Sequence, residues 1–288
     1  MPVEIVFGSK GFIGHNYLDN AILQNTKRFE IPDESSFIRF LAHPLHFEIE
    51  SGPNIVWLSG KVNPTLDPVR NKKLYDSDLR NLHETISVLK HLNWVGRFIF
   101  LSSGGCIYRE KEGSIKESDD LFPNNAYGYL KLEQEQVIYD SGLNYAVLRV
   151  ANVFGRKINS SVGQNVIDHW ITSFNSDRPC KVFGSLNSFR DYINVLDVVS
   201  AIIKSSSYIG PSVILNIGSG IRTTMNELMH LFEFATQRNV RFDFESPRSS
   251  DRLGYCLNIE KAFSVLGWSP SNSSHPDIRK FFRKEIHS

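Results

Sequence analysis

The 288-residue sequence predicts an α/β protein, a parallel, doubly wound sheet with helices on both faces and a smaller C-terminal lobe. Three observations carry that prediction. Short apolar runs alternate with amphipathic stretches through the first half of the chain. The first run, Val3 to Phe7, opens directly into a glycine-rich turn, Gly8-Ser-Lys-Gly-Phe-Ile-Gly14. Beyond about Asn152 the alternation loosens. The expected division is residues 1–152 for the sheet domain and 153–288 for the lobe, with some late segments returning to the sheet.

A composition of 41% hydrophobic and 22% charged residues is that of a globular protein, and a net charge of +1 argues against a nucleic-acid or membrane-surface binder. No apolar run approaches the ~20 residues that span a bilayer. The strand pattern begins at Val3, so no signal peptide is expected. Cys106, Cys180 and Cys256 lie far apart with no Cys-x-x-Cys spacing, which favours reduced thiols and a cytoplasmic setting. The histidines include no His-x-x-x-His pair, and no metal is expected.

Taken in order, the strand at Val3–Phe7 leads through the glycine turn into a helix carrying Tyr17, Leu18 and Ile22. In that context Gly8 makes the tight turn, Gly11 lets backbone approach a pyrophosphate, and Gly14 lets the helix pack on the strand. Gly8, Lys10, Gly11, Phe12, Ile13 and Gly14 are thus candidate dinucleotide contacts, the alternative being an ordinary β–α turn. A second strand at Arg28–Ile31 ends near Asp33, whose carboxylate could hold an adenosine ribose and favour NAD. Lys10 pulls the other way, toward the 2′-phosphate of NADP, and both residues also fit plain surface charge. The cofactor is therefore NAD or NADP, with a lean to NAD.

Asn54–Ser59 is the next buried strand, and Leu58, Ser59 and Gly60 at its end join the expected cofactor contacts. A helix from about Leu74 to Leu92 leads to a strand at Arg97–Ser102. Active residues belong at the C-terminal ends of parallel strands, where Ser102 and Ser103 fall. Tyr127 and Lys131, four apart on the following helix, share one face. A nearby ammonium favours a phenolate, so a tyrosine of ordinary pKa near ~10 can be drawn toward neutrality. Such a pair also fits a packed ring beside a solvated amine. A strand at Leu143–Val150 follows. Later come helices at Gly163–Ser176, Asp197–Ser206, Thr224–Ala235 and Glu260–Leu266, a short strand at Lys181–Phe183, and loops at Ser185–Ser188 and Ser246–Ser250.

With the glycine turn, Ser102-Ser-Gly-Gly-Cys-Ile-Tyr108 and Tyr127-x-x-x-Lys131 in this order, the chain resembles the extended short-chain dehydrogenase/reductases. Within them it is similar to the NAD-dependent epimerase/dehydratase family that acts on nucleotide sugars, over nearly its whole length. The resemblance implies a Rossmann-type sheet, a nucleotide-diphosphate sugar as substrate and a homodimer paired through the helices near 74–92 and 127–141. Leu148-Arg-Val-Ala-Asn-Val-Phe-Gly155 resembles the segment whose asparagine, here Asn152, contacts the sugar nucleotide. Phe189-Arg-Asp-Tyr-Ile-Asn-Val-Leu-Asp-Val198 resembles the one whose arginine, here Arg190, meets the diphosphate. Arg248-Ser-Ser-Asp251 resembles the late segment that holds the nucleotide, which assigns Arg248 and Asp251 to it.

The departures are as specific. Gly104 stands where many members carry a hydroxyl four residues before Tyr108, so that role is expected to pass to Ser103. Arg109 replaces a glycine, and Asp78 replaces an asparagine in the helix beside the nicotinamide. The path from the second strand to Asn54 has room for a helix and hardly for another strand, as in the family's smaller reductases.

The chemistry implied is hydride transfer at C4 of the hexose, with Tyr127 moving the proton, Lys131 tuning it and holding the ribose, and Ser103 orienting the oxygen. A 4-epimerase is the first expectation. A 4-keto-6-deoxyhexose reductase is the second, and a non-catalytic nucleotide-binding regulatory protein, suggested by Gly104 and Arg109, is the third.

Overall fold

The computed structural model describes residues 3–21, 27–31, 52–62, 68–123, 125–155, 165–247 and 253–286. Asp33, Arg248 and Asp251 lie outside the described residues. Six strands form the main sheet: β1 (Val3–Phe7), β2 (Lys27–Ile31), β3 (Asn54–Trp57), β4 (Phe98–Ser103), β5 (Tyr145–Val150) and β9 (Val213–Ile217). They stand in the order β2-β1-β3-β4-β5-β9, and β1 pairs in parallel with both β2 and β3. The chain runs outward from β1 to β2, then returns to the other side of β1. That reversal opens a crevice at the C-terminal ends of β1 and β3, where such sheets bind their ligands.

Helices α1 (Phe12–Ala21), α2 (Pro68–His91), the single turn α3 (Gly104–Ile107) and α4 (Ala126–Tyr139) connect these strands. A strand covered on both faces must be apolar throughout. The burial of Ile55, Val56 and Trp57 in succession, and of Phe98, Ile99 and Phe100, meets that demand. Phe7, Trp57, Phe98 and Phe100 pack with Leu82, Ile86 and Leu89 of α2 and Ile138 of α4. Each such side chain contributes about 1.5–3 kcal/mol by leaving water.

The described chain divides into two compact units. One comprises residues 1–107, 122–149 and 199–215, the other residues 108–121, 150–198 and 216–288. The second unit holds a three-stranded sheet, β10 (Arg222–Thr224), β8 (Phe189–Asn194) and β6 (Asn152–Phe154), and a parallel pair, β11 (Phe242–Glu245) with β7 (Cys180–Phe183). Its core gathers Phe154, Trp170, Phe232 and Phe282. They come from β6, from α5 (Val166–Asn175), from α7 (Met225–Thr236) and from α9 (His275–Ile286). Helix α6 (Val195–Ser206) and the short α8 (Glu260–Leu266) complete the elements.

The expected helix at Leu74–Leu92 begins earlier, at Pro68, the residue best suited to a first helical position because its missing N–H costs nothing there. Strands β6, β8, β9, β10 and β11 and helix α9 were not expected from the sequence. The strands have three to six residues and exist through pairing with distant segments, as Asn152 pairs with Tyr192. No described helix is long and apolar enough to cross a membrane.

Candidate active site

The glycine turn follows β1 directly. Gly8 has φ +77°, a left-handed conformation that glycine adopts without strain, and its carbonyl accepts a 3.0 Å bond from the Gly11 N–H. A side chain on Gly8 would stand 2.6 Å from the Leu58 carbonyl and the Ser59 nitrogen, and one on Gly14 would overlap the Gly8 carbonyl oxygen. Backbone thus meets backbone where β1, β3 and α1 converge. The Tyr17 hydroxyl, on α1, donates to buried Glu4 at 2.7 Å and locks the helix to the strand. Phe12 and Ile13 begin α1 half-buried, while Lys10 is exposed. A turn whose glycines bring backbone against backbone, at a helix N-terminus, fits the pyrophosphate of a dinucleotide.

Leu58, Ser59 and Gly60 leave β3 beside that turn. Asp78, on α2 and buried, fastens the two residues after Gly60: its Oδ2 accepts from the Lys61 N–H at 2.7 Å and the Val62 N–H at 3.1 Å.

The Tyr127 helix is placed by two local devices. Asn125 caps α4, its side-chain oxygen accepting from the Gly128 N–H at 2.8 Å. Gly128 leaves no room for a side chain, because a Cβ there would overlap the Cys106 carbonyl oxygen. The start of α4 therefore rests on α3. Tyr127 is half-buried; Lys131 is 8% exposed and donates to the Leu101 carbonyl at 2.9 Å. The Lys131 ammonium lies 4.7 Å from the Phe100 ring centroid and 5.7 Å from that of Tyr127.

Burial pulls the Lys131 pKa down to about 8, against the opposing charges of Asp78 and then Glu135. Tyr127 moves the other way. Burial raises it above the ordinary phenol value, and Cys106 and Asp78 add to the rise. Against the expectation that Lys131 draws this phenol toward neutrality, burial first, and then Cys106 and Asp78, hold it above the ordinary phenol value in the protein as it stands. One turn after Lys131, Glu135 forms a buried 2.7 Å ion pair with Arg149 of β5 and fixes the rotation of α4.

At the end of β4 successive side chains alternate. Ser102 is buried, and its hydroxyl has no hydrogen-bond partner among the described residues; Ser103 is half-buried. Of the two, Ser103 is the hydroxyl open to a ligand. Cys106 is a neighbour of Tyr127 that the sequence alone did not single out; its place in Ser-Ser-Gly-Gly-Cys was the available signal.

In the second unit, Asn152 opens β6 opposite Tyr192, and Arg190 stands two residues earlier on β8, hence on the same side of the small sheet. The Arg190 guanidinium donates to the Phe189 carbonyl at 2.7 Å and lies 6.0 Å from the Tyr255 ring centroid. Asp191 beside it is fully buried and ties three segments together. It accepts from the Ser219 N–H (2.7 Å) and hydroxyl (2.6 Å), the Gly220 N–H (3.2 Å) and the Leu257 N–H (3.1 Å). The Tyr108 hydroxyl similarly donates to buried Asn216 at 2.7 Å, a structural bond rather than a reactive one.

Residues 55–218 match the family model described as the NAD dependent epimerase/dehydratase family. The chain belongs to that family. Among its relatives, a dTDP-4-dehydro-6-deoxyglucose reductase of Escherichia coli is 32% identical over 214 residues, 72% of this chain and 68% of that protein. The UDP-glucose 4-epimerase of Thermotoga maritima, solved with UDP-glucose, matches with a TM-score of 0.83 at 25% identity over 99% of both chains. A UDP-glucose-4-epimerase of Stenotrophomonas maltophila, with bound NAD and formylated UDP-arabinopyranose, gives 0.87 at 19% identity over 100% of this chain and 98% of that one. At that identity the likeness shows the fold alone. The family assigned from the motifs and the Rossmann-type sheet are both borne out.

Proposed function

We propose that the protein is a nucleotide-sugar 4-epimerase that holds NAD in the glycine cradle and inverts C4 of the hexose. The observation that carries this is the pairing of Tyr127 and Lys131 on one face of α4, beside the C-terminal end of β4 and capped by Asn125. The nicotinamide, when bound, supplies the acceptor and donor of a hydride. Tyr127 takes the proton from the C4 hydroxyl and returns it. Lys131, charged below pH about 8, favours the phenolate in that step. Ser103 orients the C4 oxygen. Gly8, Lys10, Gly11, Phe12, Ile13 and Gly14 line the pyrophosphate side, with Leu58, Ser59 and Gly60 along the edge of the crevice. Asn152 and Arg190 serve the sugar nucleotide, and the motif assigns Arg248 and Asp251 to it as well. Asp33 in the sequence favours NAD over NADP.

A second copy of the chain is the natural partner for the 620 Å³ groove between α2 and α4, lined by Leu79, Ile86 and Val137 among charged neighbours. The three free cysteines suit a cytoplasmic setting.

A 4-keto-6-deoxyhexose reductase is the second reading, favoured by the 32% identity to the Escherichia coli enzyme. One experiment separates the two. Nucleotide released by denaturing the purified protein is identified by mass and absorbance, and UDP-hexoses and dTDP-hexoses are then followed by NMR for inversion at C4. Retained NAD with C4 inversion is the expected result. An empty protein that consumes NADPH only with a 4-keto sugar establishes the reductase. In either case Tyr127→Phe lowers turnover by roughly 10²–10⁴-fold, and full activity in that variant removes Tyr127 from the chemistry.

A further inference from the structure

Asp78 is a buried carboxylate that is not fully explained by the loop it fastens. Its Oδ2 alone takes both bonds, from Lys61 N–H and Val62 N–H, and a neutral side-chain carbonyl has the lone pairs to accept the same two. What a carboxylate adds is charge. A formal charge only 6% exposed is costly unless something answers it. Helix α2 packs on α4, and the Asp78 charge bears on two groups there: Lys131, whose charge it supports against burial ahead of Glu135, and Tyr127, whose ionisation it opposes after burial and Cys106. Asp78 therefore acts on both members of the reactive pair, while its hydrogen bonds hold the rim of the crevice next to Gly60.

We propose that Asp78 is a positioning residue whose negative charge makes the crevice prefer the oxidised nicotinamide, a cation, over the reduced, neutral one. The inference rests on the proposed function through one chemical requirement. Hydride and proton leave the same C–O group, so the ring of a bound nicotinamide would have to come close to the Tyr127 hydroxyl, and a charge that acts on Tyr127 would act on the ring as well. An enzyme that must begin each cycle with an oxidised cofactor gains from such a bias.

The test is equilibrium binding of NAD⁺ and NADH to the full-length protein freed of nucleotide, followed by calorimetry, in wild type and in Asp78→Asn. The amide keeps an acceptor for Lys61 and Val62 and removes the charge. The ratio of NAD⁺ to NADH affinity is expected to fall in the variant by roughly fourfold to fifteenfold, as one unit charge gives at about 10 Å with an effective dielectric between about 20 and 40. Asp78→Glu, which keeps the charge, is expected to stay closer to the wild-type ratio than the amide does. A purely structural role weakens both cofactor forms alike and leaves the ratio unchanged, and that result overturns the proposal while leaving the proposed function standing. Failure of the wild-type protein to bind either form overturns both. Should the amide variant not fold, Asp78→Ser removes the same charge and is read in the same way.

Discussion

Lys131 and Asp191 are ionisable groups buried in different units, and they are treated in opposite ways. Asp191 receives four hydrogen bonds from two other segments, Ser219–Gly220 and Leu257. Burial raises its pKa, and the donors on Ser219, Leu257 and Gly220 oppose that rise. Asp197 is held similarly, accepting from Ser271 N–H, from the backbone and side chain of Asn272, and from the Ser273 hydroxyl. Lys131 makes one hydrogen bond among the described residues, to a neutral carbonyl, and its pKa falls to about 8. A buried ion whose bonding capacity is filled is a fastener. One with capacity to spare is a group whose proton can move, and in this chain it stands beside Tyr127.

Replacing each group by an apolar one should separate the two roles. Lys131→Met is expected to lower turnover by roughly 10²–10⁴-fold, with thermal stability unchanged or raised, since a poorly compensated buried charge is removed. Asp191→Ala should do the reverse at the level of folding. It leaves four donors unmet and is expected to cost about 3–5 kcal/mol in urea unfolding. If Asp191→Ala were as stable as wild type, the distinction between fastener and reactive group would collapse.

Arg149→Met tests the link between the two kinds of group. Glu135 would be left as an uncompensated buried charge, at an expected cost of about 3–5 kcal/mol, and calorimetric unfolding measures it. The same variant should alter the pH profile of turnover, because Glu135 also acts on Lys131.

A smaller effect is the pH dependence of stability. The folded pKa of Lys131, about 8, lies below its unfolded value, so the unfolded chain binds more protons above pH about 8. This group's contribution therefore makes stability rise from pH about 8 toward 10, and denaturation midpoints in Lys131→Met should lack that rise. The smallest expected change is Thr224→Ala. Thr224 and Glu227 form a capping box on the exposed start of α7, and its loss should cost about 1 kcal/mol without touching turnover.

The alternation of apolar runs, the glycine turn at Gly8–Gly14 and the spacing of Tyr127 and Lys131 were legible in the sequence because each is a local pattern. Turn geometry, strand burial and helical face are set by residues a few positions apart. The short strands β6, β8 and β10 were not legible, because three to six residues carry too little periodicity to announce a strand whose partner is distant in the chain. Nor was the state of Tyr127. Its four-residue spacing from Lys131 suggested a lowered pKa, whereas the burial that packing imposes, followed by Cys106 from α3 and Asp78 from α2, holds it above the ordinary phenol value. Local order along the chain therefore determined the sheet, the family and the shared helical face of Tyr127 and Lys131. Tertiary structure alone decided which charges face that pair and how far from water it sits, and proton affinity depends on both.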